Sequence, residues 1–299
     1  LGNVWRFDVT SSDPTQWAVT SGGPLFTTSS GQPITSDVYP VFVTGSMGTQ
    51  LMLFFGTGQK FPITQTASTS YSSSQQSFYG IWDWNMSAWN ALNSTQFASL
   101  PAGTAGTLAP SNLQQQTVTY DTNTGLPSIE TPYVVCWEGT STCSAATATA
   151  KTSAVSTNSQ YGWYINFPGT NSGYGAETYE QEIYNPILVS TAIQFNSILA
   201  AVDSPLDCSP LQDEGWSYAL NVQNGTPVTG FFVNNVNTTT IALPTNASGS
   251  SSEVTTANGS GGTNYFLIYQ STSVGAGTPT QIQPANNISG YRESWIQLR

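Results

Sequence analysis

An all-β fold is the expectation this sequence raises, on three observations. Apolar residues recur in short runs of roughly five to eight, alternating or continuous, bounded by Gly, Pro, Ser and Asn. Almost nothing repeats at the helical period of about 3.6 residues. Aromatic residues make up 12 % of the 299-residue chain, nine of them Trp, so a sizeable core is available in an otherwise Ser-, Thr-, Asn- and Gly-rich sequence.

Taken in order, residues 4–9 alternate and form the first expected strand. Residues 38–44 are rich in β-branched and aromatic side chains, and 51–56 are continuously apolar, as in a strand covered on both faces. Residues 116–120, 133–137 and 162–167 bring Val, Tyr and Trp together in strand-length pieces. Residues 186–195, 216–222, 231–233, 240–243, 265–270 and 294–298 complete the set. The one helix-like stretch is 87–99, where Trp89, Leu92 and Phe97 fall on one face.

Four segments share Gly, then alternating aromatics or aliphatics, then Asp or Asn. They begin at Gly2-Asn3-Val4-Trp5, Gly80-Ile81-Trp82-Asp83, Gly162-Trp163-Tyr164-Ile165 and Gly215-Trp216-Ser217-Tyr218. Gly permits a tight entry, alternation packs one face, and the Asx residue opens the next turn. Such repetition marks the blades of a β-propeller, with a β-sandwich as the other compatible architecture. The uneven spacing implies large insertions. The Ser/Thr/Asn-rich stretches 67–76, 140–160 and 244–263 are the expected exposed, mobile loops. The length suits one large β domain spanning 1–299 or two smaller ones.

Charge excludes several functions. Charged residues are 7 % of the chain, against roughly 25 % in an ordinary globular protein, and the formal net charge is −11. With Arg6, Lys60, Lys151, Arg292 and Arg299 as the whole basic inventory, no patch can track a phosphate backbone or dock on anionic lipid. The absence of histidine removes Ser-His-Asp and Cys-His catalysis and every imidazole metal ligand. Apolar runs such as 51–55 are too short to span a bilayer. The opening residues read as the middle of a strand, not as a signal peptide, which implies a longer gene product with its targeting signal upstream. Cys136 and Cys143 bracket a turn-forming segment and suit a hairpin disulfide, the alternative being two unpaired thiols. Cys208 has no evident partner.

A series of motifs follows in a specific order: 2–8, Gln32-Pro33-Ile34-Thr35, Phe55-Gly56-Thr57-Gly58-Gln59-Lys60 and Gln76-Ser77-Phe78-Tyr79-Gly80-Ile81-Trp82-Asp83. It continues through 162–167, Ala176-Glu177, Pro186-Ile187-Leu188-Val189, Asp207-Cys208, 215–221 and Ser294-Trp295-Ile296-Gln297-Leu298. Across essentially its whole length the chain resembles the C-terminal domain of the PilY family of type IV pilus proteins. The resemblance implies a modified β-propeller and a non-enzymatic role in pilus biogenesis, retraction and adhesion. Its implied partners are minor pilins of the pilus tip and abiotic or cell surfaces, at an extracellular location reached through the periplasm. No cofactor is implied. The family's calcium loop has no counterpart here, since Asp121-Thr122-Asn123-Thr124-Gly125 lacks the later acidic ligands. Ala176-Glu177-Thr178 departs from the family's Gly-Glu-Arg and would lose an ion pair. The family domain's first blades also have no match.

Other candidates are weaker. Gly56-Thr57-Gly58-Gln59-Lys60 lacks phosphate-loop spacing and reads as a tight turn. The carboxylates of Asp203, Asp207, Asp213 and Glu214, and of Glu177, Glu180 and Glu182, read as solvated acidic loops. A glycosidase pair or a weak cation site is the sharper alternative. A secreted propeller enzyme, glycosidase or quinoprotein-like dehydrogenase, is therefore the second functional reading. Tyr71, Phe78, Tyr79, Tyr174 and Tyr179 among polar residues suggest a sticky surface. Seven N-x-S/T sequons would suggest glycosylation in a secreted eukaryotic chain, but in so Asn-, Ser- and Thr-rich a sequence chance accounts for most of them.

Few titratable groups mean few ion pairs to lose in acid, so an acidophilic source is expected. The domain should keep its cooperative structure at about pH 2 to 3. Circular dichroism during acid titration checks this, and loss of a cooperative melt there contradicts it.

Overall fold

The continuously apolar run 51–55 becomes a strand covered on both sides, and the architecture grows outward from it. A computed structural model describes residues 2–19, 22–45, 47–60, 72, 74–101, 106–120, 125–129, 132–139, 143, 158–168, 179–199, 215–233, 240–242, 247–257, 262–271 and 279–284. The strands in chain order are β1 (Asn3–Val4), β2 (Phe7–Asp8), β3 (Ala18–Val19), β4 (Phe26–Thr27), β5 (Tyr39–Gly45) and β6 (Gly48–Gly56). Next come β7 (Ser77–Trp82), β8 (Gln114–Gln116), β9 (Thr119–Tyr120), β10 (Pro127–Ser128), β11 (Gly162–Asn166) and β12 (Ile187–Val189). Then follow β13 (Ala192–Asn196), β14 (Trp216–Asn221), β15 (Thr240–Ala242), β16 (Ala247–Ala257), β17 (Thr263–Ser271) and β18 (Thr280–Ile282). The fold is all-β, as expected.

Three sheets stack in series. The first has order β5-β6-β7-β11-β8, the second β12-β13-β14-β15 and the third β16-β17-β18. Strand alternation divides the second sheet between two cores. Ile193, Phe195, Trp216, Tyr218 and Leu220 join the core shared with the first sheet. Ala192, Ala219 and Ile241 join Leu267, Tyr269 and Ile282 of the third. At the first boundary Phe78 stacks on Phe195 with ring centroids 3.7 Å apart, and Phe195 stacks on Tyr218 at 5.0 Å. At the second boundary side-chain amides add to this apolar contact. Ser251 Oγ donates to Gln194 Oε1 (2.8 Å), and Gln194 Nε2 donates to Asn196 Oδ1 (2.7 Å) and Ser217 Oγ (2.8 Å).

Trp163 anchors the first core. Its indole lies against Gly80 on the neighbouring strand, where an added Cβ would sit 2.7 Å from Trp163 Cε2 and 2.8 Å from Phe54 Cε1. Gly225, with φ +67°, covers the indole from another side, and Trp163 Nε1 donates to Val222 O at 3.2 Å.

Several expectations change. Gly80 lies inside β7 and Gly162 begins the neighbouring antiparallel β11, with Trp163 opposite Gly80, so the repeated motif does not mark one unit per sheet. Residues 247–257, expected within a mobile loop, form β16 along β17. The pairing is held by backbone hydrogen bonds, for which Ser and Thr side chains suffice. Gln76, at the end of another expected loop, is buried and donates to Ser72 Oγ (2.7 Å) and Gly31 O (3.0 Å). The expected helix is shortened to α1 (Ser87–Leu92). Asn90 ends it by donating to Phe97 O and accepting from Phe97 N–H, both at 2.6 Å. Trp89 and Leu92 are exposed, and Phe97 stacks on Phe42 at 4.5 Å instead of sharing a buried helical face. Residues 186–195 divide into β12 and β13, turning at Ser190 with φ 57°. The segment 133–137 contributes only isolated bridges, while 294–298 lies outside the described residues.

Because Gly80 lacks room for a methyl group, Gly80→Ala should lower stability by about 1–3 kcal/mol. Gly106→Ala, where no atom lies within 4 Å of the added Cβ, should stay within about 0.5 kcal/mol of the parent. Denaturant unfolding of both variants checks the pair.

Candidate functional site

The largest concentration of unusual chemistry is a buried acidic strap, Glu180-Gln181-Glu182. Its residues are 1 %, 0 % and 0 % exposed, although carboxylates are almost never fully buried without a partner. The backbone explains how it is held. Gln181 N–H donates to Ile198 O (2.9 Å) and Ile198 N–H returns to Gln181 O (2.7 Å), tying the strap beside the second sheet. Glu182 N–H donates to Thr57 O (3.0 Å), and Gln59 N–H donates to Gln181 Oε1 (3.0 Å), tying it to the end of β6. The glycines of Gly56-Thr57-Gly58 make this approach possible. A Cβ on Gly56 would fall 2.1 Å from Glu182 Oε2, and one on Gly58 2.9 Å from Gln181 Cβ. The string that superficially resembles a phosphate loop is a seat for the strap.

Burial sets the protonation of both acids. Tyr218 O–H donates to Glu180, and Ser36 Oγ donates to Glu182 Oε2 at 2.9 Å. Desolvation pushes the Glu180 carboxyl up to about 7, with the Ser197, Tyr218 and Tyr120 hydroxyls pulling the other way. It pushes Glu182 up to about 8, against the Ser36 hydroxyl and the Tyr184 and Gly56 backbone groups. None of these neighbours is basic. Burial and the adjoining Glu180 together raise the Tyr218 phenol well above its usual range.

A second feature opens at the surface. A cleft of about 370 Å³ is lined by Asn3, Val4, Trp5, Arg6, Phe7, Leu25, Val38, Leu53 and Asp83. Arg6 Nη1 donates to Asp83 Oδ1 at 2.9 Å, within an ion pair whose carboxylate is almost covered. Burial raises Asp83's pKa, with the Arg6 charge opposing it. Trp5 is 47 % and Phe7 62 % exposed, and Trp17, 51 % exposed, stands on the adjoining hairpin with its indole N–H donating to Ser11 O. β2 and β3 place Phe7 opposite Val19.

The sequence-expected residues are distributed differently. Glu180 and Glu182 lie together, but buried and not in a solvated loop. Glu177, Asp203, Asp207, Asp213, Glu214 and Cys208 lie outside the described residues, as do Tyr71, Tyr174 and most of 121–125. Phe78 and Tyr79, expected on a sticky surface, are fully buried because β7 is an interior strand of the first sheet. Tyr79 donates to Gln32 Oε1 (2.5 Å), and burial lifts its pKa to about 12. Tyr179 is half-buried. Among the described residues the most exposed aromatics are instead Trp5, Phe7 and Trp17, two of which fall in the first expected strand, with Phe42 and Trp89 less exposed. Cys136 and Cys143 form a disulfide with Cα atoms 5.1 Å apart. Among the described residues no group of three or more His, Cys, Asp or Glu could hold a metal ion, and no helix is long and apolar enough to cross a membrane.

Comparison with protein-family models, curated proteins and solved structures found no match to this chain.

The strap gives stability a definite pH dependence. In the unfolded chain each glutamate titrates near 4.5, whereas in the folded chain protons stay until about 7 and about 8. Between those limits the folded state holds more protons, so stability is full in acid and falls as pH rises through this window. We expect the denaturation midpoint to drop from pH 4.5 to pH 8. Glu182→Gln, a neutral isostere, should flatten the slope and add on the order of a few kcal/mol at pH 8. A midpoint that rises with pH across the window contradicts the assignment.

Proposed function

We propose that the chain is a non-enzymatic surface-binding domain of the kind carried by type IV pili, acting in pilus biogenesis, retraction and adhesion. The observation that carries this reading is the exposed aromatic platform of Trp5, Phe7 and Trp17 in a chain of low charge. Large rings left half-exposed gain most when another surface covers them. The order of motifs, which resembles that of pilus-associated PilY proteins, is what supports the pilus reading, with minor pilins and outside surfaces as the proposed partners and the cell surface as the proposed location. The modified propeller belongs to the same proposal. It is supported by three sheets built mainly from sequence-consecutive antiparallel strands and packed face to face in chain order. The enzymatic alternative draws no support from Glu180 and Glu182, whose carboxylates are covered and do not line the cleft.

The protein should co-purify with sheared pili, and deleting its gene should reduce piliation and surface attachment several-fold. Quantitative electron microscopy with an attachment assay tests this, and normal piliation and attachment in the deletion strain would overturn it.

A further inference from the structure

The cleft at the first hairpin combines three features that together select a ligand. Its rim carries Trp5 and Phe7 with much of each ring in solvent. Its polar element is a compensated pair, Arg6 and Asp83, joined among the described residues by a single 2.9 Å contact. The carboxylate also accepts from Asn85 N–H at 3.4 Å, but a guanidinium has five donors and a carboxylate about four acceptor positions, so both keep hydrogen-bonding capacity. Its volume of about 370 Å³ falls within the range of small-molecule sites, roughly 300–1,000 Å³.

Charge discriminates among occupants. An anion would meet Asp83 and a chain of net charge −11. A cation would meet Arg6. A purely apolar ligand would strip water from the pair and return no hydrogen bonds. A neutral polyol satisfies all three constraints, because hydroxyls both donate to Asp83 and accept from Arg6 while a C–H face lies on an aromatic ring. We infer that this cleft binds a neutral saccharide chain, with Trp5 and Phe7 as stacking platform and the Arg6–Asp83 pair reading its hydroxyls. Its role in attachment rests on the surface-binding reading above; binding itself does not.

The test titrates the full chain with maltohexaose, cellohexaose and chitohexaose, followed by tryptophan fluorescence and calorimetry. At least one should bind with a dissociation constant of about 1 mM or tighter. Trp5→Ala and Phe7→Ala, which remove exposed side chains and should leave the fold intact by circular dichroism, should each weaken binding about tenfold or more. Trp17→Ala, outside the cleft, should leave it within about twofold. Failure of all three oligosaccharides to bind, or binding that survives both cleft substitutions, overturns the inference. The two readings separate in an attachment assay. Attachment that depends on Trp5 without saccharide binding sinks the saccharide and spares the adhesin. Cleft-dependent binding with normal attachment in the deletion strain supports the site and sinks the adhesin.

Discussion

Three consecutive residues, Glu180, Gln181 and Glu182, join two sheets of this protein from the inside, and much of the packing answers to them. Their backbone bonds to Thr57 on one side and Ile198 on the other. The glycines at 56 and 58 exist sterically because the strap passes there, and the continuous core from Phe54 to Tyr218 closes around it. Such a strap is tolerable only if its acids are neutral. An ionised carboxylate without a basic partner could not remain in that environment, so it would protonate or come out. Burial therefore favours the protonated form of both acids, so that below about pH 7 the strap packs as carboxylic acids.

The same rule extends beyond the strap. Gln32, Gln76, Gln114, Gln116, Gln160, Gln194 and Asn196 are all buried. Their partners include backbone carbonyls and N–H groups, hydroxyls and one another, as when Gln160 Nε2 donates to Gln114 Oε1 (2.9 Å) while its own Oε1 accepts from Cys136 N–H (2.6 Å). An amide offers donors and acceptors that do not change with pH, whereas an ion pair loses one member to protonation. A core wired by amides and protonated acids keeps its connections in acid. That gives a low charged fraction a structural meaning beyond the functions it excludes.

Legibility followed from how local each feature was. The strands at 51–56, 162–167 and 216–222 could be read because aromatic and aliphatic runs of that length leave few alternatives. The disulfide could be proposed from two cysteines around a turn. Strand β16 could not, because its Ser- and Thr-rich residues owe their conformation to pairing with β17. That Trp5 and Phe7 are exposed while Phe78 and Tyr79 are buried has a related reason. Alternation shows that a segment is a strand, but only sheet order decides whether that strand is interior, like β7, or ends in a small surface hairpin, like β2. Burial of Glu180 and Glu182 ran against the ordinary preference of carboxylates for water. The available signal was slight: Glu-Gln-Glu set between Tyr179 and the apolar Ile183-Tyr184, in a chain that spends charge sparingly.

Buried acids inside and exposed aromatics outside are the two features of this chain that depart most from ordinary residue preferences. The most direct test of the buried acids is to follow glutamate side-chain carboxyl resonances by carbon-13 NMR from pH 3 to pH 9. Two resonances, each removed by Glu180→Gln or Glu182→Gln, should titrate near 7 and near 8. Midpoints for both residues in the ordinary carboxylate range, near 4 to 5, would contradict the central claim that the two sheets are joined through neutral acids.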